Sequence, residues 1–205
     1  MSWEAVNNLL LVILLPLAVV GAIARIFVGV RRESRRCKAI EDVASRLGFK
    51  YSRRHDEPRM WANFKITPRG DSKQFRNWIE GRSQRFDVAI FEFICSDSDG
   101  GSIHSVIWFE CEEMQLPLFD VSLNWIASNK VTKSFNFSTG ELDTIKTIAR
   151  SAKWTIEGLG KDLIAYQPST RLNPDGVPKF LEDGLQIATA IFKPQFEKDS
   201  VPPRT

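Results

Sequence analysis

Residues 86–95, with the sequence FDVAIFEFIC, decide the fold of this chain because both of their alternating faces are apolar. Successive side chains of a β-strand point to opposite sides of the sheet. Phe86, Val88 and Ile90 fall on one side, and Phe91 and Phe93 on the other. A strand with two apolar faces is covered on both sides, so the segment predicts a central strand.

Further strand-like segments stand on both sides of this one in the sequence. Residues 75–80 precede it, and a glycine-containing stretch at 81–83 predicts a hairpin turn between the two. Residues 103–111 follow after a turn-rich break at 96–101, which predicts an antiparallel partner. The other predicted strands are 49–51, 119–125, 131–137, 154–157 and 163–167, with a polar loop at 53–60 and a hairpin at 158–162.

Three segments have the period of an amphipathic helix, with apolar residues three and four positions apart. They are residues 33–47, which stop at Gly48, residues 141–150, and residues 178–192, where Pro178 suits the first turn. Runs of strands with helices at both ends and one between them predict an α+β fold with a mainly antiparallel sheet and flanking helices.

An apolar run precedes this region and predicts one N-terminal transmembrane helix. Residues 9–30 are apolar except for Arg25, and roughly 20 such residues cross a bilayer core. Arg25 lies near one end, where its side chain can reach the headgroups. Pro16 predicts a kink in the helix.

Basic residues directly after the run predict its orientation. This membrane-proximal basic cluster is Arg31, Arg32, Arg35, Arg36 and Lys38. By the positive-inside rule the domain that follows is cytoplasmic and the N-terminus lies outside the cell membrane. A cleaved signal peptide is the alternative, because residues 22–24 have the A-x-A pattern. The first eight residues contain Glu4 and no Lys or Arg, which favours an uncleaved anchor.

These observations predict five regions. They are a short N-terminal extension (1–8), a transmembrane anchor (9–30), a basic juxtamembrane helix (31–48), an α+β soluble domain (49–192) and a disordered tail (193–205). The predicted partners are the lipid bilayer through residues 9–30, anionic lipid headgroups at the basic cluster and another membrane protein. Because the net charge is only +3 and the excess lies beside the anchor, we expect no nucleic-acid partner.

Cysteine usage gives no sign of a disulfide framework or a zinc site. Cys37, Cys95 and Cys111 are odd in number, widely spaced and without a CxxC pair. Cys95 and Cys111 fall in predicted strands, and we expect them to be small buried apolar residues. The predicted cytoplasmic side is a reducing compartment.

Three groups of residues are candidates for chemistry, each with a simpler structural interpretation. Asp97 and Asp99 begin like a calcium loop, but the twelfth position is a tryptophan, and Asp and Gly residues also suit a hairpin. Glu110 and Glu112 share a strand face and, if buried, form an acid–base pair. His104 stands near Asp97 and Asp99, which permits His–Asp chemistry, although a single histidine beside a loop is usually an exposed polar residue.

The chain resembles a set of uncharacterised bacterial proteins with one N-terminal membrane anchor and a small cytoplasmic α+β domain. The segments that carry the resemblance are LGFKY (47–51), NWIEG (77–81), VAIFEF (88–93), LPLF (116–119) and WTIEG (154–158). The resemblance implies a fold and a location, and it assigns no activity, cofactor or metal.

We therefore hypothesise a single-pass membrane protein whose cytoplasmic domain works by binding. One alternative is a membrane-anchored enzyme of an unrecognised type that uses the acidic residues and His104. Another is a structural subunit of an envelope complex. The sequence contains no motif that specifies a reaction, which favours the binding protein over the enzyme.

Overall fold

A computed structural model describes residues 3–59, 61–66, 72–97, 100–113, 115–121, 143, 147, 149–150 and 153–199, without the side chains of residues 3–17, 97, 100, 117 and 193–199. The chain divides into two compact units, Met1–Ala39 and Ile40–Thr205. It has an α+β fold with a seven-stranded antiparallel sheet and helices. The predicted α+β class and the predicted antiparallel sheet with helices are therefore confirmed.

The first helix, α1, is one element of 44 residues, Trp3–Arg46. The sequence predicted a separate anchor at 9–30 and a basic helix at 31–48. The two are continuous because strong helix formers such as Arg, Glu, Lys and Ala follow Val30. The helical backbone also passes through Pro16. Among the helices of the described part of the chain, none is long and apolar enough to cross a membrane.

Helix α1 ends at Arg46, and Gly48 follows as the stop residue that the sequence predicted. Gly48 has φ +73°, a left-handed conformation that glycine adopts without steric cost. The Phe49 N–H donates to the Ala44 carbonyl at 2.9 Å, and the Gly48 N–H donates to the Ser45 carbonyl at 3.1 Å. This is a Schellman motif, which satisfies helix carbonyls that would otherwise lack donors.

The sheet has the order β1-β2-β3-β4-β7-β6-β5, and every pairing is antiparallel. β3 lies third in this order, so the prediction of a central strand is confirmed. β4 pairs with β7, which the chain order does not suggest. The strands are β1 Lys50–His55, β2 Ser72–Ser83, β3 Phe86–Asp97, β4 Gly100–Glu110, β5 Leu116–Val121, β6 Thr155–Gly160 and β7 Asp162–Gln167.

Two predicted connections are wrong, and the structure shows why. Residues 53–55 belong to β1 and not to a loop, because Arg54 and His55 pair with Arg76 and Phe75 of β2. The turn between β2 and β3 is at residues 84–85 and not at 81–83, since Ser83 pairs with Phe86. Gly81 lies within β2, and it is a glycine there because the ring of Phe49 fills the space that a side chain would need.

The C-terminal helix, α2, is Val177–Asp199 and contains the predicted helix 178–192. It continues through Pro194 into the region predicted as a disordered tail, 193–205. Residues 200–205 lie outside the described residues. So do the predicted strand 131–137, residues 122–125 and most of the predicted helix 141–150, of which Asp143, Thr147, Ala149 and Arg150 are helical.

The two faces of the sheet carry separate cores. On one face, Ile40, Val43 and Ala44 of α1 and the apolar side of α2 join the cluster of Phe86, Val88 and Ile90. On the other face, residues Trp61, Phe64 and Ile66 cover the cluster of Phe75, Trp78, Ala89, Phe91, Phe93, Cys95, Val106 and Ile164. The predicted apolar character of both faces of β3 is confirmed.

A buried carboxylate on each face holds an irregular segment against the sheet. On the helical face, Glu92 is fully buried. It accepts hydrogen bonds from the Asn77 side-chain amide at 2.6 Å and from the Leu172 N–H at 3.1 Å. Asn77 lies at a bulge with φ +51° and accepts the hydroxyl of Tyr51 at 2.8 Å. Glu92 therefore joins β1, β2 and residue 172 to the central strand.

On the opposite face, Glu157 of β6 has the same role. It accepts the backbone N–H groups of Lys65 at 2.6 Å and Ile66 at 3.1 Å, and the hydroxyl of Tyr166 at 3.2 Å. Burial raises the pKa of Glu157, and the hydrogen bonds from Lys65, Tyr166 and Ile66 oppose that rise. A buried N–H without an acceptor is costly, so this carboxylate lets residues 61–66 cover the sheet.

Replacing Glu157 with Ala is expected to destabilise the protein by about 3 kcal/mol, since the buried Ile66 N–H and the partly buried Lys65 N–H lose their acceptor. In hydrogen exchange on the full chain in detergent, the amides of Lys65 and Ile66 should exchange faster. Glu113→Ala removes an exposed carboxylate and is the control. Unchanged protection of both amides in Glu157→Ala would contradict this role.

Gly158→Ala is expected to cost about 1–3 kcal/mol, because a methyl group there overlaps the ring of Phe119, its cross-strand partner. Gly176→Ala is the matched control, since its nearest contact outside its neighbours, Asn173 Cβ, is an ordinary 3.6 Å. Urea unfolding of both variants measures the difference. Equal stabilities would show that Phe119 does not pack on Gly158.

Candidate functional site

A cleft of about 370 Å³ opens on the sheet face that carries residues 61–66. The end of α1 and strands β1 to β4 contribute its lining, which combines two indoles, three carboxylates and two cationic side chains. The lining residues are Gly48, Lys50, Trp78, Glu80, Gly81, Arg82, Asp87, Val88, Ala89, Trp108 and Glu110.

Two tryptophans form the apolar part of the cleft, with ring centroids 6.3 Å apart. Trp78 is buried and stacks between His55, at 4.0 Å, and Phe91, at 4.5 Å. Its indole N–H donates to Glu80 at 2.8 Å. Trp108 is partly exposed, so its ring is the part of the pair that a ligand can contact.

The predicted pair of Glu110 and Glu112 meets at one cation. The amine of Lys161 contacts both carboxylates. Hydrogen bonds from Lys161 lower the pKa of Glu112, and the same contacts raise the pKa of Lys161. A carboxyl group with a lowered pKa is a poor general acid at neutral pH. The structure thus brings Glu110 and Glu112 together as an ion-paired cluster rather than as an acid–base pair.

Sequence reasoning missed Asp162, which it placed in a turn. β6 and β7 are joined by Lys161 alone, so Asp162 begins β7 opposite Glu110. Asp162 is fully buried and accepts the Trp108 indole N–H at 2.9 Å. Its Oδ2 has no hydrogen-bond partner in the described part of the chain. Burial raises the pKa of Asp162 to about 6. Asp162 lies beside Trp108 because β4 pairs with β7, and the sequence around Asp162 contains no pattern that indicates this pairing.

The second candidate, His104, lies near the middle of β4. Its Nε2 is 2.9 Å from the Ser102 hydroxyl, which is 2.8 Å from the thiol of Cys95. Burial lowers the pKa of His104, so it is neutral near pH 7. At about 3.3 Å per strand residue, His104 is some 20 Å from Glu110. The two candidate groups therefore do not form one site.

The predicted partners of His104 are only partly described. Asp97 pairs with Gly100 in the backbone, so β3 and β4 form the predicted hairpin. The side chain of Asp97 and all of Asp99 lie outside the described residues. In the part that is described, no three His, Cys, Asp or Glu side chains stand close enough to hold a metal ion. Cys37, Cys95 and Cys111 are buried and free, as expected for Cys95 and Cys111.

Comparison with known proteins leaves the family open. No protein-family model matches the chain, and no curated protein matches it. A solved structure that is similar to the chain is the mycobacterial trehalose monomycolate transport factor A, TtfA. The two share 12% sequence identity and a TM-score of 0.45, over 76% of this chain and 93% of that one. This neighbour is distant, and the resemblance noted in the sequence remains weak.

Stability is expected to fall as pH rises from about 4 to about 6, in part because of Asp162. Its pKa is 3.8 when unfolded and about 6 when folded, so the folded state binds the proton more tightly across that range. Asp162→Asn should reduce this pH dependence, measured by urea unfolding at several pH values. Asp175→Asn makes the same charge change at an exposed position and should leave the slope unchanged. Equal slopes in the two variants would contradict the assignment.

Proposed function

We propose that this protein is a single-pass membrane protein that presents a cytoplasmic binding domain. The apolar surface of α1 is the observation that carries the membrane part of the proposal. Seven large apolar side chains between residues 19 and 30 are 51–68% exposed, namely Val19, Val20, Ile23, Ile26, Phe27, Val28 and Val30. Burying each one fully contributes about 1.5–3 kcal/mol, so this surface favours an apolar environment.

The residues before and after this surface support a spanning helix. In the sequence, residues 9–17 contain no charge and continue the apolar run toward the N-terminus. The basic cluster follows the run, and its members Arg31, Arg32, Arg35 and Lys38 are exposed, while Arg36 pairs with Glu33 at 2.8 Å. Exposed basic residues at one end favour retention of that end in the cytoplasm and contact with anionic headgroups.

The cleft beside Trp108 supports a binding role for the domain. It has the size of a small-ligand site and combines a partly exposed indole with charged groups of both signs, which suits recognition of a polar ligand or a peptide segment. Two of its three carboxylates are held in place, Glu80 by the Trp78 indole N–H and Glu110 by the Lys161 amine. Groups fixed in this way orient a bound ligand without taking part in a reaction.

If α1 is inserted in the membrane, placing charged residues in its apolar surface should release the protein from the membrane. A lysine near the centre of a spanning helix costs roughly 2.5–3.5 kcal/mol. The double variant Val20→Lys/Ile23→Lys should therefore leave membranes in alkaline carbonate and fail to float with vesicles. Ser34→Lys/Ser45→Lys adds the same charge at exposed positions of α1 and should remain bound with the wild type.

Complete extraction of the wild-type protein by alkaline carbonate would overturn the proposed anchor. Protease protection tests the orientation on the same preparation. In right-side-out vesicles the domain should resist protease, and it should be cleaved after the membrane is opened. Cleavage in intact right-side-out vesicles would place the domain outside and reverse the proposed orientation.

A further inference from the structure

The structure assigns a second site, beyond the proposed anchoring and binding role, that recognises a phosphate group. It is a cavity of about 620 Å³ at the junction of β1 and β2, lined by Arg54, His55, Asp56, Ser72, Lys73, Gln74, Phe75 and Arg76. The cleft at Trp108 uses the other end of β2, from Trp78 to Arg82. The two sites are therefore separate.

Two arginines lie side by side among the lining residues of this cavity. Arg54 of β1 and Arg76 of β2 are direct cross-strand partners. Like charges at opposed positions of an antiparallel pair destabilise it. In the part of the chain that the structure describes, the Arg54 guanidinium has no ionic partner. The Arg76 guanidinium donates a hydrogen bond to the neutral Gln74 side chain at 2.5 Å. Its other cross-strand partner, Glu92 of β3, is already engaged by Asn77 and Leu172. An anion between the two arginines would remove this repulsion.

Arg76 also has an unused donor. Its Nε is buried and has no hydrogen-bond partner within the described residues. A buried N–H without an acceptor costs about 1–3 kcal/mol, and more for a charged group. The planar guanidinium matches two oxygens of a phosphate, which is the geometry that arginine binds best. Because Nε has no exposed surface, a phosphate in the cavity would bind the terminal amino groups of the guanidinium.

The other lining groups define how a phosphate would be held. The amine of Lys73 is 3.2 Å from Glu57, so its charge is already shared. His55 donates from Nδ1 to the Asp56 carbonyl at 2.7 Å, because a carbonyl can only accept. Asp56 is the one acid among the lining residues, and it repels an anion. Arg54 and Arg76 thus provide the binding charge.

The ligand is a phosphate monoester or diester, which a free phosphate compound or a phospholipid headgroup can supply. The test uses the full chain in a non-ionic detergent, titrated with inorganic phosphate and, separately, with dihexanoyl-phosphatidylglycerol, and followed by calorimetry. We expect saturable binding of at least one of these probes. Arg54→Gln and Arg76→Gln should each weaken it at least tenfold. Arg53→Gln makes the same charge change at an adjacent exposed residue outside the cavity and should change it less than threefold.

The two probes separate the sources. Binding of phosphate alone identifies a soluble phosphate compound, and binding of the lipid identifies a headgroup. Arg54 is exposed, so Arg54→Gln is expected to fold even if Arg76→Gln does not. Without ligand, its thermal midpoint should equal or exceed that of the wild type, because a repulsion is removed. Failure of the wild type to bind either probe, or equal affinity in Arg54→Gln and Arg53→Gln, would overturn the site. Neither result bears on the anchor, which carbonate extraction tests.

Discussion

The fold depends on burying the polar backbone of the segments that cover the two faces of its sheet. A covering segment that is not a helix brings N–H groups that water reaches poorly. Glu92 accepts the N–H of Leu172 on the helical face, and Glu157 accepts those of Lys65 and Ile66 on the other. A carboxylate has several lone pairs and no donor, so it can hold more than one such group.

This arrangement explains why acidic residues occupy positions that a simple pattern assigns to the core. In β3, Glu92 continues the face of Val88 and Ile90, and in β6, Glu157 points to the other face from its neighbour Ile156. Both are inward-facing in spite of their charge. The cost of desolvating each carboxylate is offset by the hydrogen bonds it receives. Acidic residues can therefore be structural in this domain, and Asp162 differs because one of its oxygens has no such bond in the described part.

Much of the architecture follows from periodicity, and the failures have local causes. The alternation in residues 86–95 correctly predicted a central strand, and the Gly48 stop predicted the end of α1. β1 was missed beyond Tyr51 because edge strands carry charged residues, which protect an unpaired edge. Gly81 was taken as a turn residue, although it makes room for Phe49.

The candidate sites were less predictable because they depend on contacts between distant parts of the chain. Glu110 and Glu112 were recognised, but their partner Lys161 comes from a different hairpin. His104 was recognised, but the thiol of Cys95 reaches Ser102, the neighbour of His104 on β4, only because β3 and β4 pair in one register. The arginines Arg54 and Arg76 lie in separate strands and form no motif. Pairing across a sheet has no signature within a single segment.

The buried thiols give each face of the sheet its own internal reporter. Cys111 packs in the core with α2, whereas Cys95 packs in the core with residues 61–66. A thiol reacts with an alkylating reagent only when its surroundings open. Timed alkylation of the native protein would therefore follow the opening of the two cores independently. A molecule whose two layers loosen at different rates would label one cysteine well before the other, without any engineered probe.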